Sequence, residues 1–249
     1  LRAALLAAAR RLSVAPMSES GETPRRNLTA AAAPALIAAA LSALGAFALV
    51  SFGQGAGRPE APIPGCILEG AEVVGGPISL VDHNAAPVTQ ADFTGEPMVL
   101  YFGYTHCPDV CPISLNTLAE ALAEPGGFDV QTAFITLDPE RDTPPVIGQY
   151  VRSAGFPPGL LGLTGTPAQI GAAKAAFQVH GARAPGGEQG AYLLDHSSMI
   201  YVLDSQWKTV AIMPTIARAD PANPESALIP VPHADLARCI ARGLERRTS

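Results

Sequence analysis

The chain has 249 residues, a formal net charge of −6 and only 15% charged residues. This length favours one well-buried domain with extensions, and the lack of a basic stripe argues against a nucleic-acid partner. Gly and Pro are frequent, at 24 residues each. Strand-like apolar runs such as residues 131–137 nevertheless predict a packed core.

The N-terminal part of the chain is predicted to lie outside this core. Residues 1–27 are expected to form a tail, and we hypothesise that residues 1–16 are not translated because Met17 is a plausible start. Residues 28–52 carry no charge and are rich in Ala, Leu, Ile, Val and Phe. A segment of about 25 such residues can cross a hydrocarbon core of ~30 Å, which predicts one transmembrane anchor.

Two arginines set the predicted orientation of this anchor. Arg25 and Arg26 precede it, so the positive-inside rule places the tail in the cytoplasm or its mitochondrial equivalent. The large domain then lies on the opposite side of the membrane from the tail. A cleaved signal peptide is the alternative, because Ala-x-Ala pairs occur near the end of the segment. With either segment, the domain reaches the same side of the membrane.

A linker and a folded domain are predicted to follow the anchor. Residues 53–65 are rich in Gly and Pro without periodicity, which is typical of a linker. Residues 66–249 are predicted to form the domain. Its first element is a β-hairpin, formed by residues 77–81 and 87–89 around an Asp-His-Asn turn.

Strands and helices alternate along the rest of the domain. This alternation predicts an α/β sheet with helices on both faces. Thr166, Pro167 and Gln169 carry the pattern of a helix N-cap with a capping box. The predicted elements are strands over 98–102, 130–137, 199–203 and 209–213, and helices after Cys111, around 146–151, from 167 to 177 and over 234–244.

The most informative feature is the pair Cys107 and Cys111, which directly follows the predicted strand 98–102. The two thiols lie one helical turn apart at a helix N-terminus, where the helix dipole favours thiolate. They can form a disulfide or bind one metal ion. His196, just before the apolar run 199–203, can complete a two-sulfur, one-nitrogen set that suits copper.

Two other interpretations of these residues stay open. A Cys pair at i and i+4 in an exported domain is most often a structural disulfide. Zinc is the other candidate, with His106, Cys107, Cys111 and His196 as four ligands. The zinc interpretation is disfavoured because adjacent His106 and Cys107 are awkward to bring onto one ion.

The remaining two cysteines, Cys66 and Cys239, are predicted to form a structural disulfide between the start of the domain and its last helix. An even cysteine count in an oxidising compartment favours this pairing. Residues 138–144 hold Arg141 among three acidic residues. They are expected to form a solvated loop with local salt bridges, with a docking surface as the alternative.

Three motifs occur in order along the chain. Together they resemble the Sco/SenC family of membrane-anchored copper chaperones over about residues 76–213. The resemblance implies a thioredoxin-like domain that binds one copper ion and supports assembly of the CuA centre of cytochrome c oxidase subunit II. The motifs are Phe102-Gly103-Tyr104-Thr105-His106-Cys107-Pro108-Asp109-Val110-Cys111-Pro112, Leu137-Asp138-Pro139-Glu140-Arg141-Asp142-Thr143-Pro144 and Asp195-His196-Ser197.

By motif match, the resemblance implies that Cys107, Cys111 and His196 are the metal ligands. It also implies supporting roles for Asp109, between the cysteines, and for Asp195, which is expected to orient His196 or to screen the bound cation.

One stretch of the chain departs from the family pattern. Residues 214–232 form a long Ala/Pro-rich segment where a tighter connection is expected. Cys66 and Cys239 also lie outside the family motifs.

Several functions use the same predicted site. A copper metallochaperone requires an upstream copper donor and an acceptor such as cytochrome c oxidase subunit II. The alternative is a thiol-disulfide oxidoreductase or thiol peroxidase, in which Cys107 attacks and Cys111 resolves. A copper or redox sensor is a third use. The expected location is the bacterial inner membrane with the domain in the periplasm, or else the mitochondrial inner membrane facing the intermembrane space.

Overall fold

The structure, a computed structural model, describes residues 61–184 and 192–246. The predicted tail 1–27, the predicted anchor 28–52 and most of the predicted linker 53–65 lie outside the described residues. Within the described ranges, no helix combines the length and the apolar character that a membrane span needs. The compact unit that holds the site begins at Ala61.

Eleven strands and four α-helices make up the described part of the chain. The strands are β1 Ser79–Asp82, β2 Pro87–Thr89, β3 Met98–Gly103, β4 Gln131–Thr136, β5 Leu161–Thr164, β6 Gly181–Arg183, β7 Leu194–His196, β8 Met199–Leu203, β9 Thr209–Pro214, β10 Ile216–Arg218 and β11 Leu228–Pro230. The helices are α1 Val110–Leu122, α2 Pro144–Tyr150, α3 Pro167–Ala176 and α4 His233–Glu245, with short 3-10 turns at Ala71–Val73 and Gln90–Phe93.

Seven strands form the main sheet, in the order β2-β1-β5-β4-β3-β8-β9. Strands β3, β4 and β5 are parallel, and the outer strands pair antiparallel. The predicted N-terminal hairpin is present as β1 and β2. Strands β6 with β7, and β10 with β11, form two separate two-stranded sheets.

Strand β3 lies at the centre of the molecule, and all six of its residues are buried. Because successive side chains in a strand point to opposite faces, β3 supplies both halves of the core. Val99 and Tyr101 belong to one apolar cluster, and Leu100 belongs to the other. The first cluster contains α1, α2 and α4, and the second contains α3. The prediction of an α/β sheet with helices on both faces is confirmed.

The start and the end of the domain are joined covalently. Cys66 and Cys239 form a disulfide with a Cα–Cα distance of 5.8 Å across 173 residues of sequence. Ile63 is buried beside them in the core. The packed chain therefore begins a few residues before Cys66, where the sequence pattern alone suggests linker.

The hairpin of β10 and β11 occupies the Ala/Pro-rich stretch 214–232. It is fixed at its base by a hydrogen bond from the Val231 N–H to the Thr215 carbonyl oxygen, 2.9 Å long. Its outer strand exposes Leu228 and Ile229. The departure from the family pattern is therefore an ordered two-stranded extension of the fold.

Candidate metal centre

The cysteine motif lies on the loop that joins the C-terminal end of β3 to the N-terminus of α1. Cys111 is fully buried in the first turn of the helix, and its sulfur packs against Gly103. A Cβ atom at Gly103 would lie 2.7 Å from the Cys111 sulfur. Gly103 therefore permits the close approach between the end of β3 and the buried thiol.

His196 reaches the same place from the distant strand β7. Its Nε2 atom lies 3.4 Å from the Cys111 sulfur. The ligand atoms of three residues all lie within 4.8 Å of one another: the sulfurs of Cys107 and Cys111 and a ring nitrogen of His196. Among the described residues, this is the one such group of three or more potential metal ligands. Cys107 and Cys111 are free thiols.

The tautomer of His196 follows from its other ring nitrogen. Nδ1 lies 2.9 Å from the backbone carbonyl oxygen of Ser197. A carbonyl oxygen can only accept, so Nδ1 carries the proton and donates it. Nε2 is left with its lone pair directed toward the sulfurs, which is the form that binds a metal.

Asp195 does not have the orienting role that was expected of it. Its side chain is exposed, and the hydrogen bonds of His196 within the described residues are with Ser197 and Cys111 instead. The physical reason is that both ring nitrogens of His196 are already engaged, Nδ1 by the Ser197 carbonyl and Nε2 by the Cys111 sulfur, so no ring N–H is left for the Asp195 carboxylate. The backbone carbonyl of Ser197 supplies the orientation, a contact that residue type does not reveal.

His106 lies apart from the three ligands. Its side chain is half exposed, and its Nδ1 atom is 3.0 Å from the Thr105 hydroxyl and 3.7 Å from Asp142 Oδ1. It is not a member of the ligand group. The four-ligand set required by the zinc interpretation is therefore not brought together.

The two thiols differ strongly in acidity. A hydrogen bond from the Cys111 thiol is the main cause that lowers the pKa of Cys107 from 9.0 to about 3, and burial opposes this shift. The Cys111 backbone N–H, 3.3 Å from the Cys107 sulfur, supports the same thiolate. Burial raises the pKa of Cys111 well above its usual value, and the neighbouring Cys107 raises it further. Cys107 is therefore the thiolate of the pair, and Cys111 is the buried thiol.

Asp109 lies directly before the first residue of α1, and its side chain is exposed without a capping hydrogen bond. It lines one groove together with Asp195, Cys107 and His196. This groove has a volume of about 490 Å³, and most of its lining is apolar. The exposed Leu228 of the β10–β11 hairpin forms part of its wall.

Asp142 is a site residue that sequence reasoning missed. The expectation of a solvated loop over 138–144 is wrong for it, because its side chain is fully buried. Its Oδ1 accepts from the Thr105 hydroxyl at 2.6 Å, and its Oδ2 accepts from the Thr105 N–H at 3.0 Å and from the Thr136 hydroxyl at 2.5 Å. Asp142 thus ties the cysteine loop to the end of β4.

Asp138 forms one of the expected local salt bridges, but it is not solvated. It is buried, pairs with Arg141 and accepts a hydrogen bond of 2.6 Å from the Tyr192 hydroxyl. The Arg141 guanidinium lies 3.7 Å from the centre of the Tyr192 ring. One signal could have suggested these contacts: parallel strands end at the same edge of a sheet, so the loop after β4 meets the cysteine loop after β3.

The family model for SCO1/SenC matches residues 68–226, which is more than half of the chain. The chain belongs to the SCO1/SenC family. The resemblance predicted from the three motifs is confirmed, and the fold described above is the thioredoxin-like α/β fold of Sco proteins.

Curated Sco relatives match the central part of the chain. The mitochondrial SCO2 homolog of Bos taurus is 44% identical over 140 residues, which cover 55% of this chain and 52% of that protein. The SCO2-like protein of Rickettsia felis is 38% identical over 155 residues, covering 60% of this chain and 75% of the relative. The chain spans about half the length of the mitochondrial relatives it matches.

Solved structures of Sco proteins with copper bound also resemble this chain. ScoI of Arabidopsis thaliana has a TM-score of 0.56 at 30% identity, covering 70% of this chain and 99% of the other. ScoI of Bradyrhizobium japonicum has a TM-score of 0.53 at 33% identity, covering 69% and 99%. Copper, the predicted metal, is present in both of these relatives, and this family member holds a Cys-Cys-His group of suitable chemistry.

Proposed function

We propose that this chain is a copper metallochaperone that binds one copper ion through the sulfurs of Cys107 and Cys111 and Nε2 of His196. The observation that carries the proposal is the convergence of these three ligand atoms within 4.8 Å, on segments far apart in sequence. Two soft sulfurs and one imidazole suit Cu(I) and can also hold Cu(II). The copper-bound relatives support the choice of metal.

The cargo in this proposal is delivered to the CuA centre of cytochrome c oxidase. Cytochrome c oxidase subunit II or another copper-accepting protein is the proposed acceptor, and a separate protein supplies the copper. Cys107, which is partly exposed and lines an open groove, gives an acceptor access to the ion. Asp109 and Asp195 border the same groove and screen the bound cation.

The proposed topology follows from the sequence alone. Residues 28–52 anchor the chain in the inner membrane, residues 53–65 link the anchor to the fold, and residues 66–249 form the copper-binding domain in the periplasm. The mitochondrial intermembrane space is the alternative location, supported by the mitochondrial names of relatives.

Copper titration of the reduced, anaerobic full chain tests this function. We expect one copper per chain and, after oxidation, thiolate-to-Cu(II) charge transfer in the ultraviolet-visible spectrum. His196→Ala should weaken or remove that band, while His180→Ala, at an exposed histidine outside the ligand group, should retain it. Binding of no stoichiometric copper by the wild-type chain would refute the proposal.

The difference between the two thiols favours a second function, which is reduction of a target disulfide. The Cys107 thiolate attacks one sulfur of the target disulfide, which breaks the target S–S bond, forms a mixed disulfide and expels the other target sulfur as a thiolate. Cys111, once deprotonated, then attacks Cys107, which releases the reduced target and leaves a Cys107–Cys111 disulfide. A dithiol reductant must reset the pair. Stoichiometric reduction of a target disulfide that is unaffected by His196→Ala would support this function over copper delivery.

A further inference from the structure

The cysteine loop follows β3 and His196 precedes β8, so the β3–β8 pairing brings the two ligand segments near each other, but neither the loop nor β7 belongs to the main sheet. His196 lies on β7, a strand of three residues whose ladder, within the described residues, is with β6 alone. An isolated two-stranded ribbon is only marginally stable. The position of His196 relative to the cysteines therefore requires a contact outside that ladder.

Tyr104 supplies contacts to both segments. Its backbone carbonyl accepts a hydrogen bond of 3.2 Å from the Cys107 N–H. Its hydroxyl accepts one of 3.2 Å from the N–H of Leu194, two residues before His196. Its ring meets the His196 imidazole edge-on, with centroids 5.7 Å apart and planes at 84°.

Burial makes these contacts effective. The Tyr104 side chain is only 2% exposed and belongs to the same apolar cluster as Cys111 and Leu115. A buried aromatic ring has little freedom to move, so the two hydrogen bonds fix the spacing between the cysteine loop and β7. Asp142 holds the same loop from its other side through Thr105.

We propose that Tyr104 is a positioning residue that holds His196 in register with the two cysteines, and that its hydroxyl does so through the Leu194 N–H. This inference rests on the proposed copper function. The hydroxyl also faces the Cys107 side chain, so its placement of β7 has to be distinguished from a direct effect on that sulfur. The ring contact with His196 remains when the hydroxyl alone is removed.

The oxidation state of copper should reveal this role. The two sulfurs suffice as soft ligands for Cu(I), whereas Cu(II) depends more on the imidazole nitrogen. Misplacement of His196 should therefore weaken Cu(II) binding more than Cu(I) binding. A general loss of structure would weaken both.

Tyr104→Phe in the full chain is the test, and Tyr150→Phe is the matched control. Tyr150 carries a buried hydroxyl that has no hydrogen-bond partner in the described structure. We expect Tyr104→Phe to lower Cu(II) affinity about tenfold, or about 1.4 kcal/mol, and Cu(I) affinity less than about threefold. Tyr150→Phe should leave both affinities unchanged.

A measurement without copper tests the hydroxyl contact itself. Hydrogen exchange at the Leu194 amide should become about tenfold faster in Tyr104→Phe, because that N–H loses its acceptor. The same amide should exchange at the wild-type rate in Tyr150→Phe. An unchanged Leu194 rate in Tyr104→Phe would overturn the inference.

A double-mutant cycle separates positioning from a direct effect on the sulfurs. On a His196→Ala background, Tyr104→Phe should cause no further loss of copper affinity. A full additional tenfold loss there, or equal weakening of Cu(I) and Cu(II), would overturn the inference. If the wild-type chain binds no copper, the proposed function fails, and the exchange rate at Leu194 still decides the role of Tyr104.

Discussion

The Nε2 atom of His196 lies 3.4 Å from the sulfur of Cys111, although 85 residues separate them in the chain. Nδ1 donates to the Ser197 carbonyl, so Nε2 keeps its lone pair, and Cys111 is the protonated sulfur of the site. A copper ion that binds both atoms must displace the proton of the Cys111 thiol. Copper binding and proton release are therefore linked at this pair.

This linkage predicts that copper affinity falls as the pH is lowered. Burial raises the pKa of Cys111 well above its usual value, so Cys111 is protonated before the metal binds. We expect about one proton to be released per copper at pH 7, measured by titration in weakly buffered solution. Cys111→Ser should abolish this release, and copper uptake without proton release in the wild-type chain would contradict the assignment.

Cys107 is predicted to react with alkylating agents at acidic pH. Its pKa is lowered to about 3, so it is a thiolate at pH 5, whereas Cys111 remains protonated and buried. Iodoacetamide at pH 5, followed by peptide mass spectrometry, should label Cys107 and spare Cys111. Equal labelling of the two, or none below pH 8, would show that the pair lacks this asymmetry.

Asp142→Asn is predicted to destabilise the fold by about 3 kcal/mol, because an amide cannot accept all three hydrogen bonds that the buried carboxylate accepts. Chemical denaturation of the reduced, copper-free chain measures this loss. Glu140→Gln, at an exposed position of the same loop, is the control and should change the free energy of unfolding by less than about 0.5 kcal/mol. A similar small effect for Asp142→Asn would exclude the structural role.

Replacing Cys66 and Cys239 together by serine is predicted to lower the free energy of unfolding by about 2–5 kcal/mol. The disulfide closes a loop of 173 residues, and its loss returns that conformational freedom to the unfolded chain. Copper stoichiometry should be unchanged, because β3, α1 and β7 build the site. Loss of copper binding in a variant that remains folded would show that the disulfide also shapes the metal centre.

Local signals made much of the fold predictable. The Thr166 hydroxyl accepts from the Gln169 N–H at 3.3 Å, and the Gln169 side chain accepts from the Thr166 N–H at 2.8 Å, as the capping-box pattern predicts. The apolar run that became β3 and the helix after Cys111 were found in the same way. These elements depend on neighbours in sequence, which is why the sequence reveals them.

Long-range contacts account for what was missed. The burial of Asp142 depends on Thr105 and Thr136, which the parallel pairing of β3 with β4 brings to it. Strands of three residues, such as those of the β10–β11 hairpin, are too short to show a period in sequence. The ring of His196 is oriented by a main-chain carbonyl, and every residue type carries one.

The unequal burial of the two sulfurs sets the order in which the ligands at this site can be replaced. Cys111 is enclosed by the core, while Cys107 and His196 line the open groove. An incoming donor atom must therefore replace Cys107 or His196 before it can replace Cys111. In the proposed transfer, Cys111 is therefore the last ligand that the copper ion leaves.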